Sequence, residues 1–195
     1  MKIIVDGFGG DNAPLSVLQG CELAVKEYAD VDIIVTGDEK QLRKTAQEHQ
    51  ISLERIEIAD ADGVIDVEDE ATMILKEKNN CSMAVAFKLL AEGKGDAFVS
   101  GGSTGAIVVG ASFIVKRIKG IKRAALAPIL PSDTGCYMLM DAGANLDCRP
   151  EMLMQFGIMG SIYMSHVMKL DKPRVGLLNV GAEETKGTDL QLGAY

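Results

Sequence analysis

Between Ala97 and Gly105 the chain reads Ala-Phe-Val-Ser-Gly-Gly-Ser-Thr-Gly, and no other stretch constrains the fold as strongly. Ala97-Phe98-Val99, entered from Asp96, is a short apolar run of the kind that forms a buried strand. Gly101, Gly102 and Gly105 follow, with Ser103 and Thr104 between them, and Ala106–Ala111 is apolar enough for a helix laid on a sheet. A strand, a glycine-rich turn and a helix N-terminus together suit an anion, because backbone N–H groups and the helix dipole both favour negative charge. Glycines let a ligand approach the backbone, and the two hydroxyls add donors. The same pattern also fits a tight turn whose small residues serve packing alone.

Length and charge narrow the field. A chain of 195 residues buries a real core in one α/β domain, and its net charge of −8 argues against nucleic acid as a partner. No uncharged apolar run reaches the ~18 residues of a membrane span. The opening Met1-Lys2-Ile3-Ile4-Val5-Asp6 turns acidic too soon for a signal peptide, so a cytoplasmic protein is expected. Cys21, Cys81, Cys136 and Cys148 have no Cys-x-x-Cys spacing, and the histidines are His49 and His166 alone. Neither a metal site nor a Cys–His pair is expected from them; the cysteines read as reduced, small apolar residues.

Taken in order, residues 2–6 form a strand leading into Gly7-Phe8-Gly9-Gly10-Asp11-Asn12-Ala13-Pro14, with Asn12 as a helix cap and Pro14 in the first turn. Gly7 and Gly9 suggest a dinucleotide fingerprint, but Asn12 stands where its third glycine belongs and Asp11 would oppose a pyrophosphate. The loop is read instead as the border of a cleft, through Asp6, Gly9, Gly10 and Asp11. Strands are expected at 31–36, 56–59 and 96–100. The acidic run from Asp60 to Glu70 reads as a solvated loop before a divalent-cation site. The helix from Thr104 ends in Lys116, Arg117, Lys119, Lys122 and Arg123, which either complement its C-terminus or dock an acidic partner. Ala125–Leu130 and Cys136–Met140 read as an antiparallel pair, which makes the expected sheet mixed. Asp141-Ala142-Gly143-Ala144-Asn145 has the composition of a site floor. A helix from Pro150 to about Met168 carries Gly157 and Gly160, which admit a close neighbour, and five methionines for packing or an acyl pocket. A last strand is expected at Pro173–Leu178. The fold class is α/β, a three-layer mixed sheet with helices on both faces.

Several of these segments resemble one family. Val5-Asp6-Gly7-Phe8-Gly9-Gly10-Asp11-Asn12-Ala13-Pro14 is similar to the Asp-x-x-Gly-Gly-Asp-x-Ala-Pro opening of bacterial phosphate acyltransferases of phospholipid synthesis. Ser100–Ala106 resembles that family's Ser-Ala-Gly-Asn-Thr-Gly-Ala loop, with Ser103 in place of the asparagine. The likeness continues through Asp141–Asn145, Gln155–Ser161 and Pro173–Gly181. It implies transfer of a fatty acyl group from acyl carrier protein to inorganic phosphate, with no cofactor. It further implies a fold like the isocitrate and isopropylmalate dehydrogenases, and a homodimer associated peripherally with membrane. Family members continue beyond Tyr195 and complete the cleft there, so the 195 residues are expected to be the N-terminal part of that fold and to transfer acyl groups poorly alone.

Such a reaction needs little acid–base machinery. Phosphate is already an anionic nucleophile, and a thiol of pKa ~8.5 leaves without strong acid help. Two anions must be placed and a developing oxyanion stabilised. The roles expected are phosphate binding for Gly101, Gly102, Ser103, Thr104 and Gly105, and cleft shape for Asn145 and Asn179. Lys186 is expected to stabilise charge after the last strand, and Lys116, Arg117, Lys119, Lys122 and Arg123 to dock the carrier protein. A phosphotransacetylase-like enzyme using acyl-CoA, or a non-catalytic phosphate- or carrier-binding module, would fit the same residues.

Overall fold

A computed structural model describes all 195 residues, which divide into two compact units, Met1–Lys116 and Arg117–Tyr195. In the first unit strands and helices alternate: β1 (Lys2–Asp6), α1 (Leu15–Glu27), β2 (Asp32–Gly37), α2 (Glu39–Glu48), β3 (Ile56–Asp60), α3 (Ser82–Ala91), β4 (Ala97–Val99) and α4 (Thr104–Gly110). All four strands run parallel, in the order β3-β2-β1-β4. The two-residue period of β2 divides the core. Ile33 and Val35 pack with Leu18, Cys21 and Val25 of α1 and Leu42 and Ala46 of α2. Ile34 turns the other way, towards Ile4 and Ala86 of α3. Helices therefore cover both faces, as the sequence leads one to expect.

Local chemistry fixes the joints. Asp38 caps α2 by accepting the Gln41 N–H at 2.7 Å, and Asp60 accepts the Glu39 N–H at 3.0 Å. Asn12 does not cap α1 with its side chain. Its carbonyl instead accepts both the N–H and the hydroxyl of Ser16, and α1 starts after Pro14. The helix expected to run from Thr104 to the basic cluster is shorter: its α-form ends at Gly110. A Cβ on Gly110 would lie 2.3 Å from the Phe87 ring, so only glycine lets α4 close on α3 there. The chain then runs through wider π-type turns over Ala111–Lys116.

In the second unit, β5 (Ile129–Ser132) and β6 (Gly135–Met138) form an antiparallel hairpin, followed by α5 (Pro150–His166) and α6 (Asp189–Ala194). The hairpin is a sheet of its own, so the expected single mixed sheet is replaced by a parallel sheet and a separate two-stranded one. Its turn was legible because it is local; which strands share a sheet depends on long-range pairing. Gly160 lies 3.5 Å, measured from its virtual Cβ, from Met138 Sδ, and Gly157 lies 3.4 Å from Val175. A methyl group at either position would make only ordinary van der Waals contact, so the close approach expected of the two glycines is not what these neighbours require. Pro173–Leu178 pairs with no strand, and Leu178 is 84% exposed. Among the methionines of α5, Met164 is buried while Met154 faces solvent in a stripe with Ile158 and Ile162. No helix of the chain is long and apolar enough to cross a membrane.

Candidate functional site at the strand-order switch

The order β3-β2-β1-β4 reverses direction between β1 and β4. In open parallel sheets the crevice beyond the carboxyl ends of the strands at such a reversal is where ligands bind. Two glycine-rich loops leave β1 and β4 there, Gly7–Gly10 and Ser100–Gly102, and they touch. A Cβ on Gly101 would stand 3.2 Å from the Gly9 carbonyl oxygen. Asp6, the last residue of β1, is 2% exposed and accepts the Ser100 hydroxyl on Oδ2 at 2.8 Å and the Phe8 N–H on Oδ1 at 3.2 Å. Ser100 Oγ in turn accepts the Gly102 N–H at 3.0 Å. Cys81, just before α3, is also close: burial pushes its thiol up, and the Asp6 carboxylate adds to that, against opposing N–H donors from Ala84 and Met83.

Of the expected phosphate-binding residues, Gly102 has its N–H engaged by Ser100, and Ser103 is buried with its oxygen capping α4 through the Ala106 N–H at 3.3 Å. The N–H groups of Gly101, Ser103, Thr104 and Gly105 are without a protein acceptor, and Thr104 is exposed. With α4 only seven residues long before its turns widen, these amides matter more here than a helix dipole. Gly10 and Asp11 lie on the exposed part of the neighbouring loop, and Gly9 is buried beneath it. Ser100 was passed over in the sequence because a serine ending a strand carries no signal; its partner is Asp6, 94 residues away.

The other expected residues belong to the second unit. Asn145 donates from Nδ2 to the Ala124 carbonyl at 2.8 Å, and its N–H goes to Asp141 Oδ2 at 2.8 Å. Asp141, read in the sequence only as part of a site floor, accepts the Leu126 N–H at 2.7 Å and so ties this loop together. Partial burial alone pushes the Asp141 carboxyl up, but donors from Leu126, Asn145 and Ala144 outweigh it and hold it below the usual aspartate range. Its contribution to stability is present above the unfolded-state value of about 3.9 and is lost as pH falls through the lower folded value. Thermal melts from pH 6 to pH 2.5 are therefore expected to show a steeper acid-side loss for the native chain than for Asp141→Asn. Equal slopes would remove Asp141 as the cause.

Lys186 is not at the end of a strand, since none forms at 173–178. It lies exposed on a turn before α6, its carbonyl accepting the Asn179 side-chain amide at 2.8 Å. Asn179 Oδ1 also accepts the Val180 N–H at 2.8 Å, so the structure does join these two expected residues in one closed loop. The five cations from Lys116 to Arg123 are exposed and in no ion pair. Lys116 stands in the last turn of the wider helical stretch Ala111–Lys116, and the other four follow it. Gln155 of α5 clasps their loop, accepting the Lys122 N–H at 2.9 Å and donating to the Gly120 carbonyl at 3.0 Å. In the acidic run Asp62 accepts the Asn80 side-chain amide and Asp69 pairs with Lys78 while accepting the Asp66 N–H, and no three metal-ligating side chains converge.

Comparison with known proteins agrees with this architecture. The chain aligns over all 195 residues with a phosphate acyltransferase of Clostridium kluyveri at 46% identity and with one of Clostridium acetobutylicum at 45%. It spans 58% and 59% of those two proteins, less than two thirds of their length. Among solved structures, the EutD phosphotransacetylase from Staphylococcus aureus superposes with a TM-score of 0.71 at 20% identity, over 100% of this chain and 62% of the other, which shows a shared fold. The profile of the family described as Fatty acid synthesis protein matches residues 1–195. The chain therefore belongs to the fatty acid synthesis protein family, in which these clostridial relatives are named phosphate acyltransferases.

Proposed function

We propose that this chain takes part in the transfer of a fatty acyl group from acyl carrier protein to inorganic phosphate. What carries the reading is the loop at the switch point: four amide donors without a protein acceptor, in a chain matched along its whole length by phosphate acyltransferases. In the proposed reaction a phosphate oxygen adds to the thioester carbonyl, the carbon–sulfur bond breaks, and the thiolate leaves to take a proton from water. Gly101, Ser103, Thr104 and Gly105 hold the phosphate through N–H groups, with the Thr104 hydroxyl as a further donor. Lys186 offsets the charge that develops on the carbonyl oxygen. Asn145 and Asn179 shape their loops, and no covalent acyl-enzyme is formed. The reaction is placed in the cytoplasm, by a homodimer touching the membrane peripherally.

The test is to incubate the chain with phosphate and either acyl carrier protein or CoA thioester, and to trap acyl phosphate with hydroxylamine. Phosphate-dependent hydroxamate from the carrier-protein thioester is expected, formed slowly by the 195 residues alone. Hydroxamate from CoA thioester alone would replace this donor, and none from either would leave a binding module.

The exposed basic loop is proposed as the docking site for acyl carrier protein, a strongly acidic partner. Reversing Lys119 and Lys122 to Glu is expected to weaken carrier binding and to flatten its salt dependence with the fold intact. Unchanged binding of the double variant at low salt would discard the site.

A further inference from the structure

We infer that Asp6 and Ser100 are a positioning pair that sets the shape of the Gly101–Gly105 loop; the inference rests on the phosphate reading above and names what holds that site. An ionised carboxylate only accepts hydrogen bonds, so the Ser100 proton is committed to Asp6 Oδ2 and a lone pair of Oγ is left for the Gly102 N–H. The relay therefore has one direction, from Gly102 through Ser100 to Asp6. It draws the second glycine of the loop onto the end of β1. The amides on either side of it, Gly101 before and Ser103, Thr104 and Gly105 after, are the ones left for a ligand.

Two features make the relay strong. Asp6 is buried, has no lysine or arginine partner, and spends its second oxygen on the Phe8 N–H, so these bonds lie in a medium of low polarity. Gly9 closes the relay from the other side, since a Cβ there would stand 2.5 Å from Ser100 Oγ and 2.8 Å from Asp6 Oδ2. An asparagine at position 6 keeps one acceptor, for the Phe8 N–H, but turns an N–H donor towards Ser100, so the Ser100 hydroxyl proton loses its acceptor and the relay loses its fixed direction.

The experiment uses the ¹⁵N-labelled chain, with inorganic phosphate as the probe and chloride as the ionic-strength control. In Ser100→Ala the Gly102 amide is expected to exchange with deuterated water about ten-fold faster than in the native chain. Inorganic phosphate is expected to bind Ser100→Ala and Asp6→Asn about ten-fold more weakly, and Ser100→Thr, which keeps the hydroxyl, to recover both properties. Should Asp6→Asn fail to fold, the alanine and threonine variants at Ser100 decide the matter. Unchanged Gly102 exchange in Ser100→Ala overturns the pair, and so does faster exchange with undiminished phosphate affinity. Faster exchange in a chain whose loop amides do not respond to phosphate at all supports the pair and overturns the phosphate reading instead.

Discussion

Lys186→Ala is expected to slow acyl transfer by about 10²–10³-fold, the usual cost of losing one donor to a developing oxyanion. The measurement is single turnover, with the chain in excess over the carrier-protein thioester, so that slow transfer is still resolved. Carrier binding should be unchanged, because the charge is needed only once the phosphate oxygen begins to add to the carbonyl. The loop supports such a role. Asn179 fixes the Lys186 carbonyl, and Gly187, at a φ of 111°, has its virtual Cβ 2.8 Å from Asn179 Oδ1, so the turn is closed around that side chain. Lys186→Arg should recover only part of the rate, since a planar guanidinium places its charge differently from an ammonium. If Lys186→Ala transfers normally while Thr104→Ala does not, the stabilising group is in the glycine-rich loop.

Gly9→Ala should be strongly destabilising, because its methyl group has no room between the two site loops. The added carbon would meet Ser100 Oγ at 2.5 Å, Asp6 Oδ2 at 2.8 Å and the Gly102 nitrogen at 3.0 Å, none of which is the free end of a flexible side chain. Overpacking typically costs ~1–3 kcal/mol, and breaking a hydrogen bond to a charged group ~1.5–3 kcal/mol, so a loss of about 3 kcal/mol is expected. Urea unfolding should show it as a lower midpoint with an unchanged slope, accompanied by loss of phosphate binding. Gly10→Ala is the contrast. Its Cβ would meet nothing closer than 3.6 Å, and the strain comes only from a φ of 104°. A Gly9→Ala chain as stable as Gly10→Ala would mean that the two loops part easily.

What the sequence shows well is whatever is written locally. The uninterrupted apolar run Ile33-Ile34-Val35 places β2 with a helix layer on each side, and Pro131–Gly135 announces a hairpin. The glycine-rich loop is visible because small residues interrupt an otherwise apolar run. Pro173–Leu178 shows the opposite case: an apolar run has the composition of a strand, but a strand also needs a ladder partner, and none of the six strands pairs with it. The length of α4 was hidden for a related reason. Ala111–Val115 is as helix-compatible as the residues before it, and the change to wider turns is marked only by Gly110, which reads in the sequence as one more small residue of the helix. Within the candidate site, Asp6 and the loop glycines were read as a cleft border, and the structure brings them together at the ends of β1 and β4. Ser100 was not legible, because its partner, the Asp6 carboxylate, lies 94 residues away in the chain and is brought to it only by folding.

The relay from Gly102 to Asp6 also has a consequence for how the site is lost. Asp6 ends β1, and Ser100 directly follows β4, a three-residue strand at the edge of the sheet whose Val99 is 54% exposed. Short edge strands open at a fraction of the free energy needed to unfold a domain. Each time β4 leaves β1, Ser100 leaves Asp6 with it, and the loop loses its anchor while the core of β2, α1 and α2 stays folded. If the loop holds phosphate as proposed, its occupancy should fall with the opening of these three residues, and a bound anion would act as a latch on the edge of the sheet.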